Sequence, residues 1–467
     1  MSDIIVSVSG VRGIVGDSLT PQNIAKYVSA FAEYCRLNSK SKSIIVGRDG
    51  RLHGEIIADM VINILKIAGF NVTFIGVVPT PTVQIATEDL KAAGGISITA
   101  SHNPQIWNGL KFLNSNGTFL DELQVKEFID IAESGKFQYA DIDNIGSEVN
   151  DFSWLKKHVA KVLKLKILDK AKIRKRKFKV VVDTVNSAGS KIVPDLLEKL
   201  GCKVIELFCD GSGVFPHTPE PLPENLTQLS KAVKKHKADF GVAIDPDSDR
   251  MVLITDEGEP FIEENTITSV VNFVLRKTKN KDKTAVVNLS TTRAVDDVAK
   301  PFDGKVFRSA VGEINVVKEM MKNNSVIGGE GSGGVIYPEL HYGRDAIVGL
   351  ALFLNELADF SEKQGKKKGK LSDYKNQLPQ YFISKAKIEN VSDPDTVLNI
   401  VAGDYAENGC IVNTLDGVKL DFEDYWIHLR KSNTEPIIRI ITEAKDKESA
   451  ETVQSAFVSY IKSLING

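Results

Sequence analysis

The sequence predicts an α/β fold: three similar α/β domains with mixed, mainly parallel sheets, then a smaller C-terminal α+β domain. Strand, polar or glycine-containing loop, helix and strand recur in that order three times. The pattern changes beyond a polar stretch at 361–379, and 467 residues are enough for about three or four domains. In the first block "SIIVGRDGR" leads into the amphipathic "GEIIADMVINILKIAG" and the strand "NVTFIGVV". In the second, "FKVVVDTVNSAG" is followed by "SKIVPDLLEKLG" and "CKVIELF", and "TAVVNLSTTRAVDDVAKPF" opens the third. Short β-branched runs separated by helical periodicity define βαβ units, whose strands lie parallel. The basic run "AKIRKRKFKV" (171–180) reads as a solvated linker into the second block, and "SEKQGKKKGKLSDYKNQLP" (361–379) as a linker to the last. After it, "YFISKAKI", "GCIVNTLDGVKLDFEDYWIHLRKS" and "PIIRIITEA" precede the helical "KESAETVQSAFVSYIKSL", which suits an antiparallel sheet backed by a helix. The expected boundaries are 1–150, 151–256, 257–368 and 369–467.

Composition excludes several function classes. Lys+Arg of 59 against Asp+Glu of 61 gives a formal charge of -2, which offers no nucleic-acid surface and no polybasic membrane patch. No apolar run approaches the ~20 residues that span a bilayer, and "MSDIIVSVSG" lacks the basic and apolar regions of a signal peptide. The four cysteines, Cys35, Cys202, Cys209 and Cys410, show neither C-x-x-C nor zinc spacing and suit a reducing compartment. A cytoplasmic location is expected.

Chemistry concentrates in a few short stretches. "FGVAIDPDSDRMVLI" sets Asp245, Asp247 and Asp249 at alternate positions between apolar runs. In an extended segment alternate residues share a face, so the three carboxylates converge, and their repulsion calls for a divalent cation. Pro246 keeps Asp245 out of a helix, which favours an extended loop over a hairpin turn bearing exposed acids. An EF-hand is excluded because its sixth position needs glycine and here is Arg250. Three oxygen ligands beside an arginine suit Mg²⁺ with open positions for a phosphate.

"GGEGSGGVIYP" (328–338) lets backbone approach a ligand, while Glu330 and Ser332 project a carboxylate and a hydroxyl suited to sugar hydroxyls. A hydrolase elbow is excluded, since it would need glycine where Glu330 stands. "LRKSNTEPIIRI" offers Arg430, Ser432, Asn433 and Thr434, a guanidinium fork with hydroxyls and an amide that can cradle a dianionic phosphate. Earlier, "GISITASHNPQIWNGLKF" interrupts two strands with Ser101, His102, Asn103 and Pro104. A histidine next in sequence does not usually give the geometry of a Ser-His-Asp hydrolase. The downstream aspartates point to a phosphoryl role, in which a phosphoserine oxygen completes the metal shell and Lys111 neutralises charge or moves a proton.

Taken together, "TASHNP", "DPDSDR", "GEGSGG" and "RKSNTEP" resemble, in family order over nearly the whole chain, the four loops of the α-D-phosphohexomutases. "SGVRG" and "GVFPHTPEP" are similar to further family segments. The resemblance implies four domains around a central cleft, each giving one loop, with one Mg²⁺ per chain held by Asp245, Asp247, Asp249 and phosphorylated Ser101. It implies that Arg12, His102, Lys111 and Arg250 line the reacting phosphoryl. Glu330 and Ser332 would hold sugar hydroxyls, and Arg430, Ser432, Asn433 and Thr434 the phosphate that is not reacting. The implied reaction interconverts hexose 6-phosphate and hexose 1-phosphate through a bound 1,6-bisphosphate, with hexose 1,6-bisphosphate as priming activator. The general acid or base is open between Lys111, His102 and Arg12, and the assembly between monomer and homodimer. The "SGVRG" opening, "HNPQIWNGLK" and the "E-P" ending favour glucosamine phosphate. Asn433, and Gly334 where many members carry histidine, keep glucose and mannose phosphates as the alternative. A non-catalytic phosphosugar sensor is the competing class.

Overall fold

The structure, a computed structural model, describes residues 4–406, 410–432 and 436–466. Its first three sheets repeat one plan. Strands Ser43–Arg48, Asn71–Val77 and Gly94–Ile98 pair in parallel with Ser43–Arg48 central, and Trp107–Leu113 returns antiparallel beside Gly94–Ile98. Lys179–Asp183, Lys203–Phe208, Phe240–Ile244 and Met251–Thr255 repeat that order. So do Thr284–Asn288, Lys305–Ser309, Ile327–Glu330 and Gly334–Ile336. The first sheet is widened to seven strands by Ile5–Ser7 and Gly10–Ile14 on one edge and Glu148–Asn150 on the other. The last sheet, Phe382–Ile388, Ile438–Ala444, Tyr425–Lys431, Val418–Asp421 and Ile411–Asn413, is antiparallel throughout. The expected architecture of three mixed, mainly parallel sheets and a final α+β unit is the one observed.

Burial explains the difference in pattern. Phe240–Ile244 and Thr284–Asn288 are buried at every position, as strands covered by helices on both faces must be. Helix Ala346–Lys363 is the shared support. It is buried from Ala346 to Ser361 and packs on helices Trp154–Lys164, Lys170–Arg176, Gly189–Lys199 and Glu263–Lys277. Asp345 starts it, its Oδ1 accepting from the N–H groups of Ile347 (2.7 Å) and Val348 (3.3 Å). The other Asp345 oxygen takes Nε2 of His158 at 2.8 Å and of His341 at 3.2 Å. Burial opposes ionisation of Asp345, but His158 and His341 together outweigh it and hold the carboxyl well below the usual range.

Both expected linkers are ordered and docked. The basic run forms helix Lys170–Arg176, capped by Asp169, because Ile173 is buried and Arg176 donates to the Lys366 carbonyl at 3.0 Å. Within 361–379, helix Leu371–Lys375 packs Tyr374 against Phe360 and Phe261, so this stretch belongs to the third sheet's core. Sequence polarity hid both contacts, which rest on one or two apolar side chains each. Among the described residues no helix is long and apolar enough to cross a membrane.

Replacing Asp345 by Ala is expected to remove a helix cap and leave His158 buried without its partner, costing at least about 2 kcal/mol. A thermal unfolding midpoint unchanged from wild type would refute that role.

Candidate active site

Each of the three α/β sheets contains an antiparallel hairpin, and the turns of these hairpins carry the candidate chemistry. The first, between Gly94–Ile98 and Trp107–Leu113, carries Ser101, a non-glycine residue in the left-handed region at φ 48°. Arg51, 0 % exposed, holds that turn in place. Its Nη2 donates to the carbonyls of Ser101 and Asn103 at 2.7 Å each, and its Nη1 to those of Pro104 (2.8 Å) and Trp107 (3.0 Å). Asp49 orients the guanidinium through Nε at 3.1 Å and accepts from Thr99 Oγ1 at 2.7 Å, while Thr99 Oγ1 receives the Ser101 N–H. One buried side chain thus donates to four carbonyls of the turn, of which that of Pro104 also accepts the Trp107 N–H at 3.0 Å.

The second turn, between Phe240–Ile244 and Met251–Thr255, holds Asp245, Asp247 and Asp249, all 0 % exposed. One oxygen of each lies within 4.8 Å of the others, the one such metal-ligand cluster among the described residues. The turn is tight, with Ser248 at φ 58°, so the carboxylates converge through a turn and not through the alternation of an extended strand. Nor are the acids exposed, as an ordinary hairpin loop would leave them. Ser101 Oγ donates to Asp245 Oδ2 at 3.1 Å and stands 3.3 Å from His102 Nδ1. Lys111 Nζ reaches Asp247 Oδ2 at 2.7 Å and Asp249 Oδ2 at 3.3 Å. Thr80 adds its hydroxyl to Asp247 Oδ2 at 2.7 Å and its N–H to the Asp247 carbonyl at 2.8 Å. Arg250 Nε is 3.7 Å from Asp249 Oδ1, and Arg12 Nη1 donates to Asn103 Oδ1 at 3.1 Å.

The donor set fits a hard divalent cation. Asp247 Oδ1 and Asp249 Oδ1 are buried and have no hydrogen-bond partner, although buried carboxylate oxygens normally do. Burial, then the charges of Asp249 and Asp247, push the Asp245 carboxyl well above the usual range, as expected of a site short of positive charge. Burial works against ionised Asp249 too, but Arg344, Lys111 and Arg250 outweigh it and hold the group low. Burial would lower Lys111, yet Asp247 and Asp249 leave it raised and charged. His102 is pushed down to about 3 by burial and by Arg250, so it is a neutral imidazole and not a cation for a phosphate.

The third turn, between Ile327–Glu330 and Gly334–Ile336, presents Glu330 and Ser332 to a cavity of about 460 Å³. Gly333 is at φ 90°, and a Cβ there would stand 2.3 Å from the Met251 carbonyl, so this turn must touch the metal hairpin closely. Glu330 accepts from Asn288 Nδ2 (2.8 Å), Gly312 N–H (3.1 Å) and Arg344 Nη1 (2.6 Å). Lys111, Arg250, Glu330, Ser332 and Arg430 all line the same cavity, joined by Lys385 and Arg439 from the last sheet. Arg430 is paired with Asp416 at 2.9 Å, and Asp416 also accepts the Val311 N–H at 2.8 Å. The Ser432 N–H bonds to the Ile437 carbonyl at 3.1 Å; Asn433 and Thr434 lie outside the described residues.

Sequence reasoning missed Arg51, Thr80, Glu313, Arg344 and Lys385. Arg51 sits in "GRDGR", at the carboxyl end of a parallel strand, where α/β sheets place their ligand-binding loops, and that position was the available signal. Arg344 follows "HYG" directly before a helix cap, with nothing local to mark it.

Three repeated α/β units that present these groups on hairpin turns, and an antiparallel unit that adds Arg430, give the architecture of an enzyme of the phosphohexomutase class. Residues 3–139, 156–258 and 264–382 match alpha/beta/alpha domains I, II and III of phosphoglucomutase/phosphomannomutase, and residues 385–459 match its C-terminal domain. The chain belongs to the phosphoglucomutase/phosphomannomutase family. It is 37% identical over 98% of both chains to a phosphoglucomutase/phosphomannomutase of Thermococcus kodakarensis. It is 33% identical to a phosphoglucosamine mutase of Methanococcus maripaludis, over 98% of this chain and 99% of the other. The crystal structure of a phosphoglucomutase/phosphomannomutase family protein from Burkholderia thailandensis superposes with a TM-score of 0.83 at 25% identity, covering 98% of each chain.

Glu264 supports the third turn from beneath. Its Oε2 accepts the Thr292 N–H at 2.9 Å, and a Cβ on Gly331 would meet its Oε1 at 2.0 Å. Burial pushes its carboxyl up to about 8, against the Thr292 bond and with help from Glu443. From about pH 4.5 to 8 the folded chain therefore keeps a proton that the unfolded chain releases, and this group makes stability fall as pH rises. Glu264→Gln is expected to flatten that fall when unfolding midpoints are compared across the window. Parallel pH profiles for the variant and the wild type would refute the assignment.

Proposed function

We propose that this chain interconverts hexose 6-phosphate and hexose 1-phosphate through a phosphoserine at Ser101 and a bound 1,6-bisphosphate, with glucosamine phosphate as preferred substrate. The observation that carries the reading is the Ser101 hydroxyl 3.1 Å from Asp245 in a buried carboxylate cluster bridged by Lys111. In our assignment the four loops belong to domains 1–150, 151–256, 257–368 and 369–467. Asp245, Asp247, Asp249 and a phosphoserine oxygen would hold Mg²⁺, which supplies Lewis-acid stabilisation of phosphoryl charge.

In the forward step the bond from the Ser101 oxygen to phosphorus breaks as the sugar hydroxyl bonds to the same phosphorus. The bisphosphate turns over, and the other phosphoryl returns to Ser101. Lys111, Arg250 and Arg12 meet the negative charge on the phosphoryl in flight, in the manner of other phosphoryl transfers. Neutral His102, 3.3 Å from Ser101 Oγ, is placed to exchange a proton with the seryl oxygen. Glu330 and Ser332 take sugar hydroxyls, while Arg430 and Ser432, with Asn433 and Thr434, take the distal phosphate. That grip requires Arg430 to exchange Asp416 for the substrate. Glu263, Glu313 and Glu330 on the cavity wall support an amino sugar, since a 2-ammonium group gains from carboxylates and a 2-hydroxyl does not need them. Glucose and mannose phosphates form the second reading, favoured by the 37% identical relative. An unphosphorylated Ser101 would need priming by a hexose 1,6-bisphosphate.

Ser101→Ala is expected to lower turnover by about 10³-fold or more and to abolish the phosphate adduct seen by intact mass spectrometry. Near-normal turnover in that variant would sink the phosphoserine role, and sugar binding without isomerisation under Mg²⁺ would favour a sensor. Chelation should abolish activity and Mg²⁺ restore it. Coupled rates on glucosamine, N-acetylglucosamine, glucose and mannose phosphates from one preparation decide the sugar.

A further inference from the structure

Arg344 connects two parts of the site that lie on different sheets. Its backbone is fixed from both sides. On one side it forms an antiparallel bridge with Ile336, and the next N–H, from Asp345, bonds to the Val335 carbonyl at 2.8 Å. On the other it is followed by the Asp345 cap and the buried helix Ala346–Lys363. The side chain is 10 % exposed, and each of its three nitrogens serves a different carboxylate. Nη2 reaches Asp249 Oδ2 at 2.7 Å, Nη1 reaches Glu330 Oε2 at 2.6 Å, and Nε reaches Glu313 Oε2 at 3.1 Å. Glu313 is itself held by Gln84 Nε2 from the first sheet's domain at 3.1 Å. A planar guanidinium can hold three acceptors at fixed angles, which a lysine ammonium on a flexible stem cannot reproduce.

The second observation concerns Gly334. A Cβ built there would stand 2.3 Å from Arg344 Cδ and 3.0 Å from its Cγ. The last position of the sugar turn and the Arg344 stem thus compete for one volume. Any side chain at 334 and Arg344 in this pose exclude each other. The absence of a side chain at 334 gives the guanidinium its route between the two turns.

We propose that Arg344 is a positioning and specificity-determining residue, holding Glu330 toward the sugar hydroxyls at a spacing fixed by its simultaneous bond to Asp249. The inference rests on the sugar-reading role assigned to Glu330 above. With Oε1 taken by Asn288 and the Gly312 N–H and Oε2 gripped by Arg344, Glu330 has a defined direction for its remaining lone pairs, and a defined direction is what discriminates epimers or an amine from a hydroxyl. Because the same guanidinium grips Asp249, the sugar and the phosphoryl site are registered to one another by a single rigid group.

The test compares wild type with Arg344→Gln, Arg344→Lys, Arg344→Ala, Gly334→Ala and the double variant Arg344→Ala/Gly334→Ala. Initial rates and calorimetric binding are measured for the 6-phosphates of glucosamine, glucose and mannose, and Mg²⁺ binding is titrated calorimetrically without sugar. Arg344→Gln is expected to lower kcat/KM for the preferred sugar by about 100-fold and to shrink the ratio between best and worst sugar by about tenfold. Mg²⁺ should bind it no more weakly, because a compensating charge beside Asp249 has been removed, and Arg344→Lys should leave the lost selectivity unrestored. Gly334→Ala, which reaches Arg344 without altering its charge, should cost less in the Arg344→Ala background than alone. Equal losses on all three sugars with an unchanged ratio would overturn the proposal, as would an undiminished Gly334→Ala effect in that background. A wild type without mutase turnover would defeat the functional reading alone. The calorimetric sugar preferences would still decide the role of Arg344, by narrowing in Arg344→Gln or failing to.

Discussion

Three buried carboxylates with oxygens within 4.8 Å of one another are the constraint around which this molecule is arranged. Like charges so close, removed from water, repel strongly unless cations face them. Lys111 comes from the first sheet's hairpin, Arg344 from the segment after the third sheet, and Arg250 from the metal turn itself. Two of the three compensating charges are thus delivered by other domains. Domain packing and site electrostatics are one problem, which explains why the buried helix Ala346–Lys363 and its Asp345 cap sit directly behind the site. Loosening that helix would move Arg344 and strand Asp249.

The repeated topology solves the placement. In each α/β unit the third strand in chain order runs beside the first and then turns back on itself. That puts a tight turn at the carboxyl end of a parallel strand, where backbone groups and side chains are free to face a ligand. One turn carries a hydroxyl, one three carboxylates, and one a carboxylate with glycines. The same backbone position has been given three chemistries, and the antiparallel unit adds Arg430 from the end of its own hairpin strand.

Much of this was legible in the sequence, and what was not has a physical reason. Asp245, Asp247 and Asp249 stood out because their ligands are close in the chain, although a turn and not an extended strand brings them together. Ser101, Lys111, Glu330 and Arg430 lie in short motifs bounded by apolar strands. Arg51 did not stand out, because its partners are backbone carbonyls, which any sequence supplies. Arg344 and Glu313 did not, because their partners Asp249 and Gln84 are 95 and 229 residues away. Likewise the docked stretch around Tyr374 was hidden by the lysines that precede it. Local chemistry can be read from spacing, whereas long-range positioning residues emerge only once the chain is folded.

The apolar cluster of the last sheet draws on residues 388 to 461 alone, whereas one cluster runs through the first three units without interruption. Contacts between the third and fourth units include polar ones, such as Arg293 to the carbonyls of Phe422 and Tyr425, His428 to Ser290, and Asp416 to Val311. Hydrogen bonds of this kind can be traded for water at modest net cost, but a shared apolar core cannot. The terminal unit therefore has an apolar core of its own and meets the third unit partly through polar contacts. Substitutions in the terminal unit can change the surroundings of Arg430 without disturbing the interior that supports Ser101.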